Sequence, residues 1–181
     1  ENNSTSFIDE SGRTWANTGS PVISSTSPVF GSGAGYFNGS SNIRTADSED
    51  FTLGSGNFTI DMWVKRTALN ANYYLLKQGV IGTNQAVMMQ IYNNKLYAGI
   101  GGASTSWASS SGSIGLGWTH IALVRNGNVF TIYINGVADG TKTLSAAAYN
   151  STDSFEIGGY SGYYFNGSID EFRFSKGIAR W

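Results

Sequence analysis

Cysteine is absent from all 181 residues, so a disulfide framework, a thiolate nucleophile and a cysteine-ligated zinc are excluded. The one histidine, His120, rules out a histidine-rich metal site. Charge is scarce as well: 13% of residues are charged, the net charge is −1, and Lys and Arg are scattered rather than clustered. The footprint needed for nucleic acid or an anionic membrane is therefore missing. No apolar run approaches the ~20 residues of a membrane span, so membrane insertion is not expected. The chain opens at Glu1 with neither an initiator Met nor a signal-like segment, and reads as a piece of something longer. The lack of cysteine assigns no compartment, because a domain of this size can stand without disulfides.

Catalytic signatures are also missing. The chain contains no G-x-S-x-G elbow, P-loop or H-E-x-x-H. A glycoside hydrolase needs two carboxyls converging on one bond. Here Phe58–Arg66 offers Asp61 alone, and Asp170 and Glu171 are adjacent, so regular pleating sends them to opposite faces. His120, between Trp118 and Ala122 in an apolar run, reads as a packed strand residue.

What the chain does have is glycine, serine, threonine and asparagine between short alternating runs, the composition of an all-β protein with many tight turns. In FTIDMWVKR, Phe58, Ile60, Met62 and Val64 alternate with Thr59, Asp61, Trp63 and Lys65, which predicts a strand. Thr119–Asn126, Val129–Ile134 and Val137–Leu144 form a predicted meander, turned by Asn126-Gly127 and Asn135-Gly136. Further strands are expected at Tyr36–Phe37, Asn42–Ala46, Tyr73–Lys77, Ala86–Tyr92, Lys95–Ile100, Ser154–Ile157 and Ser168–Phe174. In the last of these, Ile169, Phe172 and Phe174 share a face only if a β-bulge intervenes at Asp170/Glu171. Residues 4–35, with both prolines, predict a long and mostly irregular crossover. No linker divides the chain, so residues 1–181 are expected to form one domain.

The segments GNFTIDMWV, GWTHIALVRNGNVFTIYING and SIDEFRFSKGIARW resemble the laminin-G-like branch of the concanavalin A-like jelly rolls, over nearly the whole chain from Asp9 to Trp181. The resemblance implies an antiparallel two-sheet β-sandwich and is similar to modules of phage tail and virion appendage proteins and of bacterial surface proteins. It implies an extracellular, cell-surface or virion-surface location. Relatives often hold calcium, which here points to Asp9 in FIDESG and Asp170 in GSIDE. The pattern departs where Arg13 replaces the asparagine common in relatives, and a cation there opposes a site. Trp63, Trp118 and Tyr133 match the family's packing aromatics.

Sugar binding in such a fold needs exposed aromatic faces beside neutral polar groups. Candidates are Trp107 in the loop Ala103–Gly112, Tyr73 and Tyr74 after Asn70 and Asn72, and Tyr160 and Tyr163 around Gly162. Two functions stay open. One is a non-catalytic module that binds a polysaccharide or surface glycan. The other is a structural appendage docking a partner protein of a larger assembly, and a hydrolase ranks behind both.

Overall fold

The computed structural model describes residues 3–80, 82–101 and 106–181. In chain order the strands are β1 (Phe7–Ile8), β2 (Thr14–Thr18), β3 (Val22–Ser24), β4 (Ala34–Asn38), β5 (Asn42–Thr45), β6 (Phe58–Arg66), β7 (Tyr73–Gln78), β8 (Val87–Tyr92) and β9 (Lys95–Ile100). They continue with β10 (Ser106–Ser109), β11 (Thr119–Asn126), β12 (Val129–Ile134), β13 (Val137–Thr143), β14 (Phe155–Ile157), β15 (Gly159–Tyr160), β16 (Tyr163–Tyr164) and β17 (Asn166–Lys176). One 3-10 turn spans Glu49–Phe51. Among the described residues, no helix is long and apolar enough to cross a membrane.

One sheet runs β1-β2-β5-β14-β7-β8-β9-β10, with β15 and β16 attached beside β7; the other runs β13-β12-β11-β6-β17-β4-β3. The sheets face each other as an all-β sandwich. Ile60, Met62 and Val64 of β6 and Ile121 and Leu123 of β11 meet Leu75, Val87, Met89 and Leu96 in one core cluster. Burying each of these side chains stabilises the fold by roughly 1.5–3 kcal/mol.

The meander β11-β12-β13 forms as expected, with one turn shifted. Asn135 and Gly136 both take positive φ (50° and 79°), as do Asn93 and Asn94 (49° and 64°). The first meander turn, however, closes Asn126 on Val129, so Gly127 and Asn128 are its central pair. Gly127 alone supplies the positive φ there, 59°. The crossover expected over residues 4–35 is corrected: it contributes β1 and β2 to one sheet and β3 with the start of β4 to the other. These strands of two to five residues are too short to show alternation; in β2 only Trp15 is buried.

The expected bulge is present. Asp170 pairs with Trp63 and Arg173 with Asp61, leaving Glu171 and Phe172 opposite one residue of β6. Glu171 carries a φ of 49°, and Ile169, Phe172 and Phe174 all pack inward.

The packing aromatics are a correction. Because Ile60, Met62 and Val64 occupy the inward face of β6, Trp63 projects from the exterior, half-buried; Tyr133 does the same next to the buried Ile132. Trp118 precedes β11 and donates from Nε1 to the Ser27 carbonyl at 3.0 Å.

Candidate functional site

β17 pairs with β6 along nearly its whole length, but β4 covers only Asn166–Ile169. Past the bulge its second edge pairs with no strand among the described residues. The turns carrying Asp9–Arg13 and Ser48–Phe51 stand across from it, and between them lies a cleft of about 760 Å³.

Asp61 anchors the floor. It is 3% exposed and accepts a two-pronged hydrogen bond from Arg173, Nε to Oδ1 at 3.0 Å and Nη2 to Oδ2 at 2.8 Å. His120 Nε2 lies 3.3 Å from the same Oδ2. Burial pushes the Asp61 carboxyl up, but the hydrogen bonds from His120 and Arg173, with the charge of Arg173, outweigh it and hold the group below the ordinary carboxylate range. The His120 ring sits 5.3 Å from Trp63 and 5.5 Å from Trp181, centre to centre. Trp63 meets Phe30 edge to face at 6.1 Å, and Phe30 is 53% exposed.

Asp170 organises the upper rim. Its Oδ2 accepts from the amides of Val29 (2.8 Å) and Phe30 (3.2 Å), and its Oδ1 from the amide of Glu171 (2.9 Å). One carboxylate therefore ties the loop that presents Phe30 to the bulge that presents Glu171. On the far wall Asp9 gathers its own turn: Oδ1 accepts from Ser11 N, Ser11 Oγ and Arg13 N, and Oδ2 from Trp15 Nε1. Burial raises the Asp9 carboxyl and these bonds overcome it, so the group sits low. Arg13 pairs with Asp50 at 2.6 Å and lies over the Phe51 ring.

Asp9 and Asp170, the calcium candidates, offer that ion few free lone pairs as arranged. Calcium wants six to eight oxygens with free lone pairs. Here Asp9 Oδ1 accepts three hydrogen bonds and Asp170 Oδ2 two, while Asp9 Oδ2 and Asp170 Oδ1 accept one each and keep a lone pair. Among the described residues, no three His, Cys, Asp or Glu side chains come together as a metal site.

The aromatic candidates lie on the opposite sheet. Tyr73 is corrected to a core residue: at 6% exposure it packs edge to face on Phe165, because Tyr73 and Leu75 take the inward phase of β7. Tyr74 points outward and meets Tyr160 at 6.0 Å and Tyr163 at 5.8 Å. Lys77 Nζ lies 4.0 Å from the Tyr160 ring centre and pairs with Glu156 at 3.3 Å. Of the loop Ala103–Gly112, residues 103–105 lie outside the described set, and Ser106–Ser109 form edge strand β10 instead of a loop. Trp107 pairs with Gly99 and is half-buried on the outer face, since Ala108 faces the core. Three strand spacings, about 14 Å, separate β10 from β7, so Trp107 stands apart from the tyrosines.

Phe30, Trp63, His120, Glu171 and Arg173 were not expected as site residues. The alternation of β6 put Asp61 and Trp63 on one shared face, but bulk on both faces did not mark that face as the outer one. Their meeting with residues 59 and 112 positions away depends on cross-strand register.

The topology is that of an antiparallel two-sheet jelly roll with a cleft beside β17. Residues 37–178 match the laminin G model of the concanavalin A-like lectin/glucanases superfamily, and the chain belongs to that family. A search among curated protein sequences finds no match. Among solved structures, domain 4 of AbnA, a GH43 extracellular arabinanase from Geobacillus stearothermophilus solved in complex with arabinotriose, aligns with a TM-score of 0.69 at 21% identity. The alignment covers 92% of this chain and 84% of that one. Domains LG4-5 of the mouse laminin α1 chain align with a TM-score of 0.64 at 16% identity, over 78% of this chain and 40% of theirs. The binding domain of botulinum neurotoxin DC in complex with rat synaptotagmin II gives 0.69 at 16% identity, over 98% and 47%. This chain thus spans less than half of the laminin and toxin structures, and at these identities the likeness is one of fold.

Proposed function

We propose that this chain is a non-catalytic recognition module that binds an oligosaccharide in the cleft beside β17, outside the cell or on a virion surface. The observation that carries the reading is the meeting of outward aromatic faces, Trp63 and Phe30, with the Arg173–Asp61 fork in one cleft beside β17. A sugar ring needs both: an apolar face to stack on and rigid polar groups to orient its hydroxyls. The fork is set before a ligand arrives, so little side-chain ordering remains to oppose binding. The arabinotriose complex of the similar arabinanase domain supports a carbohydrate ligand for this architecture. Hydrolysis is disfavoured because a general acid needs a carboxyl held protonated near neutrality. Asp61 is held in the other direction.

A second reading places the ligand on the other sheet, at Tyr74, Tyr160, Tyr163 and Trp107. It is favoured by the Tyr163 ring, 53% exposed at the edge of its cluster. A third reading, docking of a partner protein with no small ligand, draws on the toxin domain that was solved with synaptotagmin.

The test is a glycan array followed by calorimetry, in calcium and in EDTA, on the parent chain, Trp63→Ala, Trp107→Ala and Tyr74→Ala. Binding lost in Trp63→Ala and kept in the other two supports the cleft. Binding lost only in Trp107→Ala or Tyr74→Ala moves the site to the other sheet, and loss in EDTA would restore a role for calcium. No sugar bound under any condition leaves the protein-docking reading.

A further inference from the structure

We infer, resting on the oligosaccharide reading above, that the cleft selects uncharged sugars and reads a vicinal diol between the Glu171 carboxylate and the Arg173 guanidinium. Three observations carry this.

The first is the bulge. A strand residue other than glycine at a φ of 49° is held against a steric cost. Regular pairing would remove that cost and, by the strict alternation of strand side chains, would place residue 171 out of phase with its present position. The bulge brings Glu171 to the wall of the cleft, with Arg173 two residues on. Re-aiming a side chain at a site is a recurrent use of such bulges.

The second is valence. Arg173 uses Nε and Nη2 on Asp61, and Nη1 has no acceptor among the described residues. The Glu171 carboxylate likewise has no hydrogen bond or ion pair among them; only its backbone amide is engaged. Its charge nevertheless acts on Arg173, behind the hydrogen bond and charge of Asp61. An unused donor and an unpaired acceptor, two residues apart on β17, thus line the same cleft with no ion pair between them. Adjacent hydroxyls satisfy such a pair: the carboxylate accepts from both, and the guanidinium donates to one of their oxygens.

The third is charge. The lining holds five carboxylates, from Asp9, Glu10, Asp50, Asp61 and Glu171, against three cations, Arg13, Arg173 and Lys176. Arg13 and Arg173 each have their charge paired with a carboxylate, Asp50 and Asp61, and Lys176 is held on the Glu49 carbonyl at 2.6 Å, so the lining keeps an excess of negative charge. A uronate or sulfate entering the cleft would meet uncompensated negative charge at distances shorter than the ~8 Å screening length of physiological salt. An uncharged ring meets no such barrier.

Calorimetry of the intact chain with uncharged arabino-, xylo- and gluco-oligosaccharides, against oligogalacturonate and a heparin-derived oligosaccharide, tests the inference. The expected result is binding of at least one uncharged series, with acidic sugars at least about tenfold weaker in 50 mM salt and the gap narrowing in 500 mM salt. Glu171→Gln should weaken the uncharged ligand about tenfold, the loss expected for a hydrogen bond to a charged group, and should shrink the discrimination against acidic sugars. A ligand with one hydroxyl of the diol methylated should lose a similar factor on the parent chain and almost nothing on Glu171→Gln. Acidic sugars binding as tightly as uncharged ones, with Trp63→Ala abolishing both, would overturn charge selection while leaving the cleft a sugar site. Unchanged affinity in Glu171→Gln would overturn the diol reading, and no sugar binding at all would remove both this inference and the reading beneath it.

Discussion

Arg125 and Arg173 belong to the same seven-stranded sheet but satisfy their guanidinium groups in opposite ways. Arg125 is 0% exposed and donates only to carbonyls, those of Gly127 (2.8 Å), Gly54 (2.9 Å) and Ala146 (3.2 Å), with its plane over Phe130. Arg66 follows the same plan, donating to the Gly115 and Ile114 carbonyls. Burial lowers the pKa of both, and no carboxylate offsets it. The side chain of Arg173 is 49% exposed and pairs with a carboxylate that is itself buried. The inner arginines staple loops to the ends of the sandwich, where carbonyls past the last strand residue need donors. The outer one is a neutralised and oriented fork with donor capacity to spare. The same side chain holds the fold together in one place and equips a surface in the other.

Arg125→Leu should break the comparison on the stability side. It leaves the Gly127 and Ala146 carbonyls without this donor, while the Gly54 carbonyl keeps the Ala148 amide at 2.8 Å, so with the lost contact to Phe130 the loss should be about 2–3 kcal/mol in urea unfolding. Arg125→Lys should recover little, because one ammonium cannot span three separate loops. A loss below about 1 kcal/mol for Arg125→Leu would mean that water replaces the guanidinium and that the staple contributes little.

Asp61→Asn tests the outer fork with a smaller expected effect, about 1–2 kcal/mol, because the freed Arg173 is half-exposed and regains water. The pH dependence carries the sharper signal. The folded pKa of Asp61 lies below its ordinary value of 3.8, so the group adds stability that is fully present above 3.8 and is lost as pH falls through the lower folded value. The parent chain should therefore lose stability in that acid window and Asp61→Asn should lose less. Parallel acid-unfolding curves for the two proteins would show that the fork contributes no net stability.

Much of the sandwich was legible because its long strands alternate cleanly. β6 and the meander keep a period of two over six to nine residues, and the bulge in β17 showed itself as three apolar residues out of phase. The N-terminal strands were hidden, since two- to five-residue pieces give no period to count. The cleft was hidden for a different reason. Asp61, His120 and Arg173 are each unremarkable in their own segments, and only the register of β6 between β11 and β17 makes them neighbours. Trp63 misled because a strand with bulk on both faces does not say which face is inside. Tyr73 and Tyr74 illustrate the same ambiguity, one in the core and the other at the surface.

The smallest expected effect lies at the bulge, where stability and recognition should move in opposite directions. Glu171 is held at a φ of 49°, a conformation costing an L-residue roughly 1 kcal/mol that glycine adopts freely. Glycine also loses more chain entropy on folding, about 0.5–1 kcal/mol, so Glu171→Gly should stabilise the chain by no more than a few tenths of a kcal/mol. The amide that Asp170 holds is retained, so the bulge itself should persist. If the left-handed residue is kept for what its side chain does in the cleft, this variant melts at or slightly above the parent and binds the uncharged sugar no better than Glu171→Gln. A clear drop in melting temperature would instead mean that Glu171 supports the bulge by packing. The comparison between stapling and recognising residues would then have to place it on the stapling side.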